Sequence, residues 1–305
     1  MTICIRAIDG GGNGFRRADV WGTGELVDLK PRPPVETAEE LLDFVFENLP
    51  AQTIGVAYAL AGVIENHNKV IKSPNIHLLD GVLLGDLTKK RLEKHNFPRN
   101  AVVCNDMEGA VAGMATLLPD LPYFLGITWS SGIGLRVWFE RKIMVLEVEG
   151  GHIPLDPSPF APRCGCEIRG CAESILGGKA IRRRVTAETE ALGIPFPGNI
   201  DPSRFLDERF DKGEEWAVNI YDMISTGMAT FLANLQSLLH LPAVVWKGTF
   251  AKYALPRIEG EIRRKMRAKL INPSWEEEMK FYFSPQPETD ALIGAAAVLR
   301  NALDD

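Results

Sequence analysis

No stretch of this 305-residue chain approaches about eighteen uninterrupted apolar residues, so no membrane-spanning helix is expected. The opening residues, MTICIRAIDGGG, hold no long apolar run before Asp9, so no secretory leader is expected either. No run of five Lys or Arg occurs, and Lys plus Arg number 34 against 40 for Asp plus Glu, a formal net charge of −6. That balance argues against nucleic acid or an acidic membrane surface as a partner. No tandem repeat or low-complexity tract is visible. Cysteine is scarce. Of the five, Cys4 and Cys104 sit in β-like runs and read as small buried hydrophobes of a reducing compartment. The expected localisation is cytoplasmic. What remains is an ordinary soluble composition, long enough for two domains with cores of their own.

The other three cysteines fall together in EVEGGHIPLDPSPFAPRCGCEIRGCAE, residues 147–173. Cys164, Cys166 and Cys171 follow His152 as C-x-C-x4-C. One imidazole and three thiolates make a closed tetrahedral set for structural zinc, and thiolate donors favour zinc over magnesium, calcium or manganese. Prolines at 154, 157, 159 and 162 with glycines at 165 and 170 exclude a regular helix or strand, and a metal would order such a loop. The bland reading is three buried thiols and a chance histidine.

Along the chain, Ile3 to Ile8 reads as a buried strand that stops at Asp9-Gly10-Gly11-Gly12-Asn13-Gly14. Phe15 to Val20 resumes the strand pattern, so the glycines form a hairpin bend. Glycine amides can approach an anion closely, and an acid at a strand end can hold a divalent cation through water; most such hairpins are only turns. Thr37 to Asn48 is an amphipathic helix with Thr37 as N-cap. Ile54 to Leu60 is a strand, 72–75 a turn, Leu83 to His95 a helix, and Ala101 to Cys104 a strand ending at Asn105-Asp106. The helix from Met107 to Leu118 is Ala/Gly-rich and suited to close packing. A carboxylate between that strand and that helix is well placed for chemistry and equally suited to capping.

After a break at Pro119 to Pro122, Tyr123 to Thr128 is a strand, 130–134 a glycine turn, and Leu135 to Phe139 the returning strand, with Lys142 to Val148 continuing the meander. This echo of the first hairpin suggests a duplicated sheet domain with a phosphate held between the two halves. Helices follow near 174–190 and 203–211, then a long one over 214–239 with Ile220, Ile224, Met228, Phe231, Leu235 and Leu238 in core spacing. Pro242 to Trp246 is a strand, 252–270 a basic amphipathic helix whose Arg263, Arg264, Lys265 and Arg267 read as a solvated face, Met279 to Phe283 the last strand, and Ala291 to Leu303 the final helix.

Taken together, these motifs resemble the ROK family of bacterial sugar kinases over nearly the whole chain. Asp9 to Asn13 stands at the family's D-x-G-G-T, Ser73-Pro74-Asn75 at S-P-N, and Asn105-Asp106 at N-D. Thr128 to Gly134 (TWSSGIG) stands at T-x-G-T-G-I-G, and Glu149 to His152 at E-x-G-H. Cys164 to Glu173 stands at C-x-C-G-x-x-G-C-x-E, and Asp290 to Ala296 at A-x-x-G-A-A. The resemblance implies an α/β, two-domain actin-like ATPase (ribonuclease H-like) fold with the active site in the interdomain cleft. It implies a small domain over 1–118, completed by a helix at 289–305, and a large domain over 119–288. It also implies ATP-dependent phosphorylation of a hexose or hexosamine hydroxyl with Asp106 as general base. Gly62, Asn75, Asn105, Asp106, Glu149, His152 and Glu173 would face the sugar. Asp9, Gly11, Gly12, Asn13, Thr128, Ser131, Gly132, Gly134 and Gly248 would hold Mg2+ and ATP. His152, Cys164, Cys166 and Cys171 would hold zinc, with the free ring nitrogen of His152 toward the sugar. The family commonly forms dimers or tetramers.

Four positions depart from the pattern. Asn13 replaces a threonine, Ser130-Ser131 replaces Gly-Thr, Lys247-Gly248 replaces Gly-Gly beside the adenosine, and Leu78-Leu79 replaces Gly-Trp. The first three bear on ATP affinity and the last on glucose. Family substrates include glucose, N-acetylmannosamine, N-acetylglucosamine, mannose, fructose and allose. Two other functions compete. The family's sugar-responsive repressors carry a helix-turn-helix ahead of the kinase-like part, for which the nine residues up to Asp9 leave no room. A non-catalytic sugar binder with a degenerate nucleotide site would have no need of Asp106.

Overall fold

The computed structural model describes residues 3–11, 13–73, 75–140, 142–144, 149–197 and 199–304. Gly12, Pro74 and the end of the expected 142–148 strand lie outside them. The chain divides into two compact units, residues 1–122 with 136–146 and 284–305, and residues 123–135 with 147–283. Among the described residues no helix is long and apolar enough to cross a membrane.

In the first unit the sheet order is β3-β2-β1-β4-β7, built from β1 (Cys4–Gly11), β2 (Gly14–Trp21), β3 (Glu25–Arg32), β4 (Thr53–Leu60) and β7 (Ala101–Asn105). The strands β1, β2 and β3 form an antiparallel meander, while β1, β4 and β7 run parallel. Alternation sorts residue size onto the two faces. Ile8, Val56, Tyr58 and Leu60 pack with Leu41, Leu42 and Val45 of α1 (Ala38–Phe46) and with Leu84 and Leu92 of α2 (Leu84–Lys94). Thr37 caps α1 as expected, its side chain accepting from the Glu40 N–H at 3.1 Å.

The opposite face carries Ala7, Ala57 and Ala59, which allows α3 (Asp106–Leu117) and α10 (Asp290–Asp304) to lie close. These two helices meet backbone to backbone. A Cβ on Gly113 would come within 1.9 Å of the Asp290 carbonyl oxygen, and one on Gly294 within 1.7 Å of the Gly109 carbonyl oxygen. The Ala/Gly composition read from the sequence is what this contact requires.

Arg6, inside the buried β1, is wholly enclosed. Its Nε pairs with Asp19 at 2.6 Å, and its remaining donors reach the carbonyls of Val45, Glu47 and Asn48 at the end of α1. The cation thus caps a helix C-terminus and satisfies the carboxylate at once, which makes its burial tolerable.

A short hairpin, β5 (Val63–Glu65) and β6 (Lys69–Lys72), leaves the end of β4. Neither it nor β3 was expected from the sequence. Only Leu26 and Lys30 of β3 are partly covered, and the strand contains Pro31, which suits a sheet edge.

The second sheet has the order β10-β9-β8-β11-β12, from β8 (Tyr123–Trp129), β9 (Ile133–Phe139), β10 (Lys142–Ile143), β11 (Ala243–Lys247) and β12 (Lys280–Phe283). Its strand order repeats that of the first sheet, with β8, β11 and β12 parallel. Duplication is therefore visible in the topology.

Helices α4 (Ala172–Leu176) and α5 (Gly178–Ala191) replace the single helix expected near 174–190, because Gly177 turns out of helical geometry at ψ 144°. Helices α6 (Pro202–Asp211) and α7 (Glu215–Leu239) follow the reading closely. Ile220, Ile224, Met228, Phe231 and Leu235 of α7 are buried, whereas Leu238, in the last turn, is 79% exposed. Helix α8 (Thr249–Arg267) begins three residues earlier than expected and continues through Pro256, and α9 (Ser274–Glu278) was not foreseen. The basic residues of α8 have acidic partners: Arg263 with Glu276, Arg264 with Glu261, Lys265 with Asp222 and Arg267 with Glu277.

Candidate active site and metal centre

In the first unit the parallel strands bring their C-terminal ends to one row. Gly10 is in register with Leu60, and Leu60 with Asn105. Asp9, Gly11, Gly62, Asn105 and Asp106 consequently gather at the end of the sheet where open α/β folds bind ligands. The two glycines of this loop differ in what they answer to. A Cβ on Gly10 would collide with Phe15 and Leu60 within 2.8 Å, whereas one on Gly11 would meet nothing within 4 Å. Packing demands the first; nothing in the fold demands the second.

Asn105 caps α3. Its Oδ1 accepts from the Met107 N–H at 2.9 Å and from Arg136 Nη2 at 3.3 Å, and its Nδ2 donates to the Gly62 carbonyl at 2.9 Å. Asp106 is the first helical residue rather than the cap, where the macrodipole favours negative charge. Gly62, at φ 144°, lies so close to the Lys72 carbonyl that a Cβ would approach it to 2.5 Å. Ser73 is buried and structural: its hydroxyl donates to the Ala61 carbonyl and accepts from the Ile76 N–H. Asn75 and Asn13 are exposed.

Three groups here escaped the sequence reading. Arg16, the register partner of Asp9 across the hairpin, holds the Asp9 carboxylate in an ion pair. Arg136, 4% exposed, reaches Asn105. His67 and Glu108 form a 2.9 Å bond beside the start of α3. Strand register would have revealed the first; the others depend on contacts distant in sequence.

In the second unit Thr128 on β8 is in register with Lys247 on β11. The glycine turn is anchored to a helix, the Ser130 and Ser131 carbonyls accepting from the Gly178 and Lys179 N–H groups at 2.9 Å each. Ser131 is exposed and Gly134 half-buried. Gly248 has φ 104° and sits against the Trp129 carbonyl, where a Cβ would come within 2.5 Å. Glu149 is exposed and precedes a tight turn over Gly150–His152, whose two glycines press on Leu135 and on the Ile133 carbonyl of β9.

The cysteine motif is assembled. The His152, Cys164, Cys166 and Cys171 ligand atoms all lie within 4.8 Å of one another. His152 Nδ1 is 3.7 Å from Cys164 Sγ and 3.8 Å from Cys171 Sγ. Zinc bonds of about 2.3 Å to sulfur and about 2.0 Å to nitrogen imply tetrahedral edges of roughly 3.5–3.8 Å, so the donor set fits zinc. Between residues 153 and 171 the chain holds itself by two isolated bridges, Pro154 to Cys171 and Arg163 to Arg169. Burial pushes the Cys164 thiol up to about 12. For Cys171 burial acts the same way, but hydrogen bonds from His152 and the Ser174 backbone outweigh it and bring the thiol to about 7. Glu173, two residues on, accepts from the Ile133 N–H at 3.1 Å, and a Cβ on Gly132 would come within 2.2 Å of its Oε2.

The profile of the ROK family matches residues 5–302, with every one of these motifs inside the match. The chain belongs to the ROK family. Among curated relatives of this ROK protein, the N-acetylmannosamine kinase of Shigella flexneri is 29% identical over 257 residues, covering 81% of this chain and 83% of that one. Among solved structures, the ROK hexokinase of Thermus thermophilus superposes with a TM-score of 0.81 at 22% identity, covering all of both chains. The ROK glucokinase of Streptomyces griseus, in complex with glucose and AMPPNP, gives 0.74 at 22% identity, covering 98% of this chain and 99% of that one. These likenesses identify the fold of this ROK protein as that of the actin-like ATPases.

Proposed function

We propose that this protein is an ATP-dependent sugar kinase that phosphorylates a hydroxyl of a hexose or hexosamine. The observation that carries the reading is the row of strand ends holding Asp9, Gly11, Gly62, Asn105 and Asp106, in a family whose relatives include N-acetylmannosamine kinase and glucokinase. Asp106 accepts the proton of the attacking hydroxyl, a step that needs a carboxylate fixed at the acceptor. Asn105 has one amide hydrogen committed to Gly62 and offers the second to the sugar, which Gly62 and Asn75 would also contact. Gly11, whose missing side chain the fold does not require, gives the phosphates access to backbone. Gly12, Asn13, Thr128, Ser131, Gly132, Gly134 and Gly248 complete the nucleotide contacts. Asp9 would hold Mg2+, which supplies charge neutralisation to the transferring phosphoryl group, once Arg16 yields its carboxylate.

Zinc would be held by His152, Cys164, Cys166 and Cys171. With Nδ1 facing the thiols, His152 keeps Nε2 for the sugar, alongside Glu149 and Glu173. The relatives make N-acetylmannosamine and glucose the first acceptors to test. Purified protein with ATP and Mg2+ should form ADP with at least one sugar of a hexose and hexosamine panel. Sugar binding without ADP formation across that panel would replace the kinase with a non-catalytic binder.

A further inference from the structure

The hairpin β5–β6 begins just after Gly62 and ends three residues before Asn75, so it joins two residues of the proposed sugar site. Its tip asks for a left-handed backbone at two residues, one of them a histidine. Asn66 and His67 both have positive φ, 52° and 50°, a backbone that few side chains other than glycine and asparagine adopt without strain. Such a turn persists only where its surroundings hold it. Here they do so at three points. The His67 carbonyl accepts from the Val103 N–H of β7 at 2.9 Å, the Asn68 carbonyl accepts from the Gly85 N–H of α2 at 3.0 Å, and His67 Nε2 lies 2.9 Å from Glu108 Oε1.

Glu108 is 6% exposed and stands two residues after Asp106 in the first turn of α3. The start of that helix therefore grips the hairpin twice: Asn105 holds the Gly62 carbonyl at the entry, and Glu108 holds His67 at the tip. A buried carboxylate without a partner is costly, so this bond decides where Glu108 and the tip settle together. The carboxylate also keeps the imidazole above its ordinary range despite the ring's burial.

We infer that His67, through Glu108, is a positioning residue that sets the acceptor-binding loop of Gly62 and Asn75 against the base Asp106. This rests on the kinase reading for what the loop binds, though not for the geometry. His67 touches no reacting atom. It fixes the distance between the part that holds the sugar and the part that takes its proton.

The test is His67→Ala beside His67→Gln, whose amide can still donate to Glu108, both made in the full chain. His67→Ala should raise the KM of the best acceptor about tenfold, as partners in one hydrogen-bond network are coupled on that scale, with the KM of ATP unchanged. His67→Gln should recover most of the loss. A second measurement needs no turnover. Hydrogen exchange should accelerate at Val103 and over residues 62–75 in His67→Ala while β1 stays protected, and His67→Gln should restore the protection. Unchanged exchange in the alanine variant, or equal losses toward sugar and ATP, would overturn the proposal. If the wild-type protein phosphorylates nothing, the kinase reading fails and the exchange measurement still decides the positioning role.

Discussion

The backbone N–H of Ile133 donates to Oε2 of Glu173 at 3.1 Å, which ties the glycine turn after β8 to the helix that leaves the cysteine loop. Two motifs forty residues apart in sequence are in this way one structural piece. Gly132→Ala would drive a methyl to within 2.2 Å of the same carboxylate oxygen. It should lower kcat/KM for both sugar and ATP by tenfold or more, about 1.4 kcal/mol or above, with the melting temperature shifted by only a few degrees. Steady-state kinetics with each substrate varied in turn checks this. An ATP KM left untouched would separate the turn from Glu173.

The same tie governs the response to metal loss. The protein should carry one zinc per chain by mass spectrometry, and chelation or Cys166→Ala should open the four-ligand set. Because Glu173 follows Cys171 by two residues and braces Gly132, sugar affinity should fall through His152 and Glu173 together, with a smaller loss of nucleotide affinity. Separate calorimetric titrations of sugar and ATP analogue read the two effects. Full sugar affinity in zinc-free protein would reduce the cysteines to core thiols.

Asp106→Asn keeps the shape at the first turn of α3 and removes the carboxylate proposed as proton acceptor. Turnover should drop by about 10²–10⁴-fold, while sugar binding and melting temperature stay close to wild type. Near-normal turnover would move the base elsewhere.

His67 gives stability a pH dependence of known sign. Its bond to Glu108 raises the folded-state pKa above the unfolded value of about 6.5. The contribution is therefore complete below about pH 6.5 and disappears as pH rises through the folded-state pKa. The facing groups are Glu108 on α3 and, beyond it, Cys104 on β7, whose thiol burial keeps neutral. The melting-temperature advantage of wild type over His67→Ala should shrink between roughly pH 6 and 8, and Glu108→Gln should abolish that trend. Thermal melts across the range decide it.

Much of this was legible in the chain. The strands that carry the proposed site are buried on both faces and, Arg6 apart, read as apolar runs, and their glycine or Asn-Asp punctuation marks the ends where that site is proposed. The cluster of His152 with three cysteines is local, so its spacing was legible. What escaped was of two kinds. Exposed edge strands such as β3 and β5 lack an apolar pattern to announce them. The charged partners Arg16, Arg136 and Glu108 are chosen by register and packing, which no local window contains. Leu238 shows the converse: its spacing is right, but it sits in the last turn of α7 and stays exposed.

The backbone contact between α3 and α10 sets an order of events during synthesis. Gly109 and Gly113 emerge with the first strands, but Gly294 and Asp290 follow only after the whole of 147–283 has been made. Until α10 is made, the alanine face of the first sheet and α3 would have no helix to pack against there. On the role proposed for Asp106, competence for catalysis would arrive with α10.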